Sequence, residues 1–108
     1  MCVLRKKDLI GHDVFELMRG SFENLHWLED SLYITEDVFQ KLELDVLFRT
    51  CLDEFSYFGV TVVTRTDWDR IKNTANHSFP CCSKVLAKID QWARVGFQTE
   101  ECFTVCGI

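Results

Sequence analysis

Proline and glycine are scarce, one and five in 108 residues, and no low-complexity run is present. Little of the chain is left to serve as linker, so one globular domain spanning residues 1–108 is expected. No apolar run approaches the length that crosses a bilayer, and the opening MCVLRKKDLI lacks the apolar stretch of a signal peptide. Its Met-Cys start is not read as a lipoprotein signal either. A cytoplasmic protein is the expectation, where six cysteines stay mostly reduced and no disulfide framework is anticipated. P-loops, dinucleotide glycine fingerprints and calcium-loop spacings are missing as well. Positive charge is the last scarcity. Between Asp8 and Glu54 only Arg19, Lys41 and Arg49 face twelve carboxylates, a net of −9 in a chain whose total is −5.

Apolar content is ample: 47% of residues are hydrophobic, with nine phenylalanines, enough for one ordinary core. A first helix is predicted over 8–19 from the stripe of Leu9, Ile10, Val14, Leu17 and Met18, with Gly20 ending it. Residues 30–34 have the composition of a short strand. The strongest helical pattern lies over 36–55. There Thr35 is the N-cap, Glu36 and Asp37 suit the first turn, and Leu44, Leu47, Phe48, Cys51, Leu52 and Phe55 form the stripe.

Five β-branched residues, Val60 to Thr64, predict a strand. Thr66, with Asp69 three residues on, is read as the cap of a helix over 67–75, and the polar run 73–78 as a turn. Pro80 suits the start of a further helix that buries Val85, Leu86, Ile89, Trp92 and Ala93 and stops at Gly96. Residues 102–106 read as a closing strand. The sum is an α+β domain, about four helices around a short, mostly antiparallel sheet.

Candidate chemistry is thin. Cys102 and Cys106 share one face of a strand but lie about 13 Å apart at ~3.3 Å per residue, and adjacent Cys81 and Cys82 cannot easily share a metal. With His77 they are better read as core or incidental thiols, so no metal and no cofactor are expected. A metal- or redox-responsive regulator built on the C-terminal cysteines is the alternative. His12, His26 and His77 carry no local motif of a general base, Asp67 and Asp69 diverge on a helix, and no catalytic residue is expected. Lys84 and Lys88 share a helical face, but the acidic half opposes nucleic acid and leaves them as a solvated surface.

What remains is acid interleaved with aromatic. Trp27, Glu29, Asp30, Tyr33, Glu36, Asp37, Glu43, Asp53 and Glu54 are the expected partner-binding residues, since aromatics beside charge anchor protein interfaces. A field of one sign draws in basic surfaces and speeds encounter more than it raises affinity. A dedicated cationic protein partner is the reading, with neither direct nucleic-acid binding nor membrane contact.

The runs Trp27-Leu28-Glu29-Asp30-Ser31-Leu32-Tyr33, Glu36-Asp37-Val38-Phe39, Glu54-Phe55-Ser56-Tyr57-Phe58-Gly59-Val60-Thr61 and Asp67-Trp68-Asp69-Arg70-Ile71 carry a resemblance. Over about residues 12–75 the chain resembles immunity proteins of bacterial contact-dependent growth inhibition and related polymorphic-toxin systems. The resemblance implies neutralisation of a cognate toxin C-terminal domain inside the producing cell, without catalysis. It also implies a nuclease as target, a ribonuclease first, whose substrate cleft is necessarily cationic.

Overall fold

A strand stands where a helix was expected. In the computed structural model, which describes residues 3–108, Val14–Arg19 is strand β1 and only a short 3₁₀ turn, Lys6–Asp8, precedes it. Phe15 and Leu17 point to the core. Glu16 and Met18 point the opposite way, and all four are buried. Both faces of β1 are covered, so the alternation that marks a half-exposed strand is missing from the sequence. Gly20, at φ 76°, turns the chain out of the strand rather than capping a helix.

β1 is central in a fully antiparallel four-stranded sheet of order β2-β1-β4-β3, with β2 Leu32–Thr35, β3 Val60–Thr64 and β4 Cys102–Cys106. The expected α+β class is therefore the observed one, with four α-helices against one face of the sheet. Beyond β2, Leu4 makes a single bridge to Tyr33, its N–H donating to Tyr33 O (2.8 Å) and its carbonyl accepting from Tyr33 N (2.9 Å).

The segment expected as one helix over 36–55 is two: α1 Glu36–Lys41 and α2 Leu44–Cys51. Carried backwards, the stripe of Leu44, Leu47, Phe48 and Cys51 would put Asp37, Gln40 and Lys41 into the core. The apolar residues there are Val38, Phe39 and Leu42 instead. A break at Leu42 and Glu43 re-aims the chain, and Glu43 takes φ 57° to do so. Thr35 caps α1 as expected, accepting from Val38 N at 3.3 Å.

Helix α3, Arg65–Ser78, starts two residues earlier than expected. Its N-cap is Thr64, which forms a capping box with Asp67. It also runs through the polar stretch read as a turn, burying Ala75 on the way. A 3₁₀ turn, Pro80–Cys82, leads into α4, Ser83–Gly96, whose inner face is the one expected. Asp90 ties α3 to α4. It accepts from Trp68 Nε1 (2.9 Å) and Lys72 Nζ (2.9 Å) and pairs with Arg94 Nε (2.8 Å). Burial alone would raise its carboxyl pKa; the bonds from Lys72 and Trp68 and the Arg94 charge outweigh this and hold it low.

Candidate partner-binding surface

The helices cover one face of the sheet, so the other is left to the loop between β1 and β2. Trp92 Nε1 donates to Asp30 O at the end of that loop (2.7 Å), and its middle is held by one side chain. Glu16, buried in the middle of β1, accepts from Trp27 N (2.8 Å), Leu28 N (3.0 Å) and Ser31 Oγ (2.7 Å). Tyr33 donates its hydroxyl to Leu28 O at 2.7 Å, with Glu16 Oε2 at 3.3 Å. Burial first, and then the Glu16 charge, push the Tyr33 phenol well above its usual range, so it stays a donor.

With its N–H drawn to Glu16, Trp27 sits at φ 59°, a left-handed conformation that is costly for a bulky side chain. Its ring stacks on Tyr33 with centroids 6.0 Å apart, meets His12 edge-on at 5.4 Å, and remains 37% exposed. Trp27 is thus presented at the surface. Tyr33, expected as a contact residue, is fully buried and supports Trp27 from below.

The acidic residues do not form one continuous face. The densest group lies where β1 begins, β2 ends and α1 starts, drawn together by a bond from Glu36 N to Asp13 O (2.9 Å). Asp8, Asp13, Glu36 and Asp37 rim a groove of about 430 Å³ whose walls include Leu4, Leu9, Val14 and a fully exposed Ile10. Glu36 is steadied by the Tyr57 hydroxyl, which donates to it at 2.7 Å and accepts from Gln40 Nε2 at 2.8 Å. Burial first, then the bond to Glu36, raise the Tyr57 phenol pKa.

Asp53 and Glu54 line a different cleft, beside β3. Asp30 lines a third, with Glu23 and Glu100. Glu29 is exposed and paired with Lys6 at 3.3 Å, and Glu43 stands at the α1–α2 break beside none of these clefts.

Pairing separates the two halves of the chain more sharply than position does. Of the twelve carboxylates from Asp8 to Glu54, ten lie beyond ion-pair distance of any described Lys, Arg or His. The exceptions are Glu29, with Lys6, and Glu16, 4.0 Å from His26. Of the five carboxylates after Glu54, Asp67, Asp69 and Asp90 of the helices are answered, by Arg70, Lys72 and Arg94, and Glu100 and Glu101 are not. Most of the negative charge of the first half is therefore without an ion-pair partner among the described residues.

The thiols are dispersed. Cys51, Cys82 and Cys106 are buried, Cys81 is exposed, and Cys2 lies outside the described residues. Burial, then Glu16, push the Cys106 thiol up to about 11, and its sulfur lies 3.7 Å from Met18 Sδ. Burial likewise raises Cys82, which donates to Leu42 O at 3.0 Å. Among the described residues no three His, Cys, Asp or Glu side chains gather as a metal site. No described helix is long and apolar enough to cross a membrane.

The site residue that sequence reasoning missed is Glu16. Its signal was present, a lone carboxylate inside the apolar run Val-Phe-Glu-Leu-Met, but a helical reading of that run hid it. Fold and surface together define a small α+β domain with an aromatic loop pinned by a buried carboxylate and an acid-rimmed apolar groove. Compared with protein-family models, curated proteins and solved structures, the chain matches none.

Proposed function

We propose that the chain is an immunity protein. It binds a cognate toxin domain in the cytoplasm of the cell that makes both and neutralises it without chemistry, as in contact-dependent growth inhibition. The observation that carries this reading is the set of ten unanswered carboxylates, four of them around an apolar-walled groove. Acids without an ion-pair partner repel one another, whereas a cationic protein gives each a counter-charge. Aliphatic walls inside an acidic rim suit an arginine or lysine, whose stem is apolar and whose head is charged. A nuclease is the favoured target, and a ribonuclease first among nucleases, because its phosphate-binding cleft must be positive.

The test is capture of the C-terminal toxin domain encoded immediately upstream of this chain's gene. Glu36→Lys with Asp37→Lys should slow association about tenfold and flatten its salt dependence, with dissociation changed less. Capture at the same rate by the double variant would remove the acidic groove from the mechanism. No capture of any toxin domain, together with no rescue of cells expressing one, would remove the function.

A further inference from the structure

Resting on the reading that the partner is a cationic protein, we infer that the free edge of β3 receives an extended, basic segment of that partner as an added strand. The hydrogen-bond register identifies which backbone groups are free. Gly107 N donates to Gly59 O (2.7 Å), while on the far side of β4 Gly20 N donates to Cys102 O (2.9 Å). Antiparallel pairs alternate, so Thr61 and Val63 turn their N–H and C=O groups to β4, and Val60 and Val62 turn theirs outward. Thr64 confirms the phase: its outward N–H is taken by Asp67 Oδ2 at 3.1 Å.

Val60 and Val62 therefore present two donors and two acceptors that no described residue satisfies. The opposite edge of the sheet is different, since Leu4 takes both outward groups of Tyr33. One edge is bridged by the chain itself at Tyr33, and the other has no such bridge among the described residues.

Open edges are ordinarily guarded by lysine, proline or a bulge, and 60–64 has none of these. Val60 and Val62 instead project from one side of the strand, exposed by 42% and 49%, and Phe58 in the turn before it is exposed by 77%. On the helix side of the same edge runs a cleft of about 400 Å³ lined by Asp53, Glu54, Asp67 and Arg70. Arg70 is engaged within the fold, donating to Cys51 O at 3.0 Å with Asp67 at 3.8 Å. That leaves Asp53 and Glu54 without an ion-pair partner among the described residues.

An added strand whose side chains alternate apolar and basic would lay one set beside Val60 and Val62 and the other toward these acids. A second copy of this chain fits poorly, because pairing edge to edge would set Asp53 and Glu54 against their own mates in a molecule of net −5.

The experiment uses the full chain, ¹⁵N-labelled, and a capped peptide of about seven residues alternating lysine and valine at about millimolar concentration. Its expected result is exchange of the Val60 and Val62 amides slowed about tenfold, with no slowing by the glutamate–valine counterpart. Val62→Pro should abolish the effect while keeping the fold, because the lost N–H faces away from β4. Should that variant melt early, Asp53→Lys with Glu54→Lys serves instead, weakening the peptide about tenfold without touching the strand.

Unchanged Val60 and Val62 exchange with peptide present overturns the inference. So does protection in the isolated chain that grows with its own concentration, which would make a second copy the occupant. Normal toxin capture by Val62→Pro beside lost capture by the Glu36→Lys, Asp37→Lys variant overturns the edge inference alone and leaves the immunity reading standing.

Discussion

Glu16 shows how one side chain can decide what a surface displays. A buried carboxylate is costly unless its oxygens are bonded, and here two backbone N–H groups and a serine hydroxyl do this. The same bonds fix the loop that carries Trp27. Replacing Glu16 by Gln keeps the shape but removes the charge and aims an amide N–H₂ at donors. We expect a loss of about 2 kcal/mol in urea unfolding, and about 3–4 kcal/mol for Glu16→Ala. Trp27 should then leave its left-handed conformation, seen as a red shift in tryptophan emission. Undiminished stability in both variants would show that the loop holds itself. Nothing in composition reveals Glu16. What reveals it is a charged residue flanked by Phe15 and Leu17, two positions that both prove to be fully buried.

Elements were legible in proportion to how one-sided their surroundings are. β3 and α4 each face core on one side and solvent on the other and match their expected patterns, whereas β4, buried on both faces, is legible as a strand because its run of five residues is too short for a helix. β1 is enclosed on both sides, so Val14, Leu17 and Met18 fitted a helical stripe as well as a strand. The start of α3 was ambiguous for a local reason. Thr64 with Asp67 and Thr66 with Asp69 have the same capping spacing, and only the end of β3 selects the first. The α1–α2 break is legible in the sequence, since the polar residues Asp37, Gln40 and Lys41 fall on the stripe when it is extended towards the N-terminus. The acidic groove was hidden because it forms at the junction of β1, β2 and α1, the region most misassigned.

That break also yields a prediction for its pivot. Glu43 holds φ 57° without the freedom of glycine. Glu43→Gly should stabilise the fold by about 0.5–1 kcal/mol, and Glu43→Val should destabilise it by more than ~1 kcal/mol. Urea titration of both variants checks the sign, and a stabilising valine would mean that the turn relaxes elsewhere.

For the molecule as a whole, the uneven pairing of charge has a cost that salt can relieve. Carboxylates with no counter-charge repel one another, and this repulsion is screened as the Debye length shrinks from about 20 Å to about 6 Å. Calorimetric Tm should therefore rise by about 2–5 °C between ~20 and ~300 mM sodium chloride. The same salt should slow capture of a cationic partner. A Tm that falls with salt would indicate that the described ion pairs, such as those around Asp90, outweigh the repulsion. Stability and association are thus expected to respond to ionic strength in opposite directions, which few proteins with balanced surfaces would do.

The bridge made by Leu4 bears on how the protein tolerates company of its own kind. Were proteolysis to clip the chain after Arg5, Tyr33 would be stripped of its clasp and both flanks of the sheet would lie bare. Unlike flanks that join head to tail close into a ring only when the rotation between copies permits it, and otherwise grow, copy upon copy, into a fibre. One residue near the N-terminus, Leu4, thus stands between a monomer with a single sticky side and one with two.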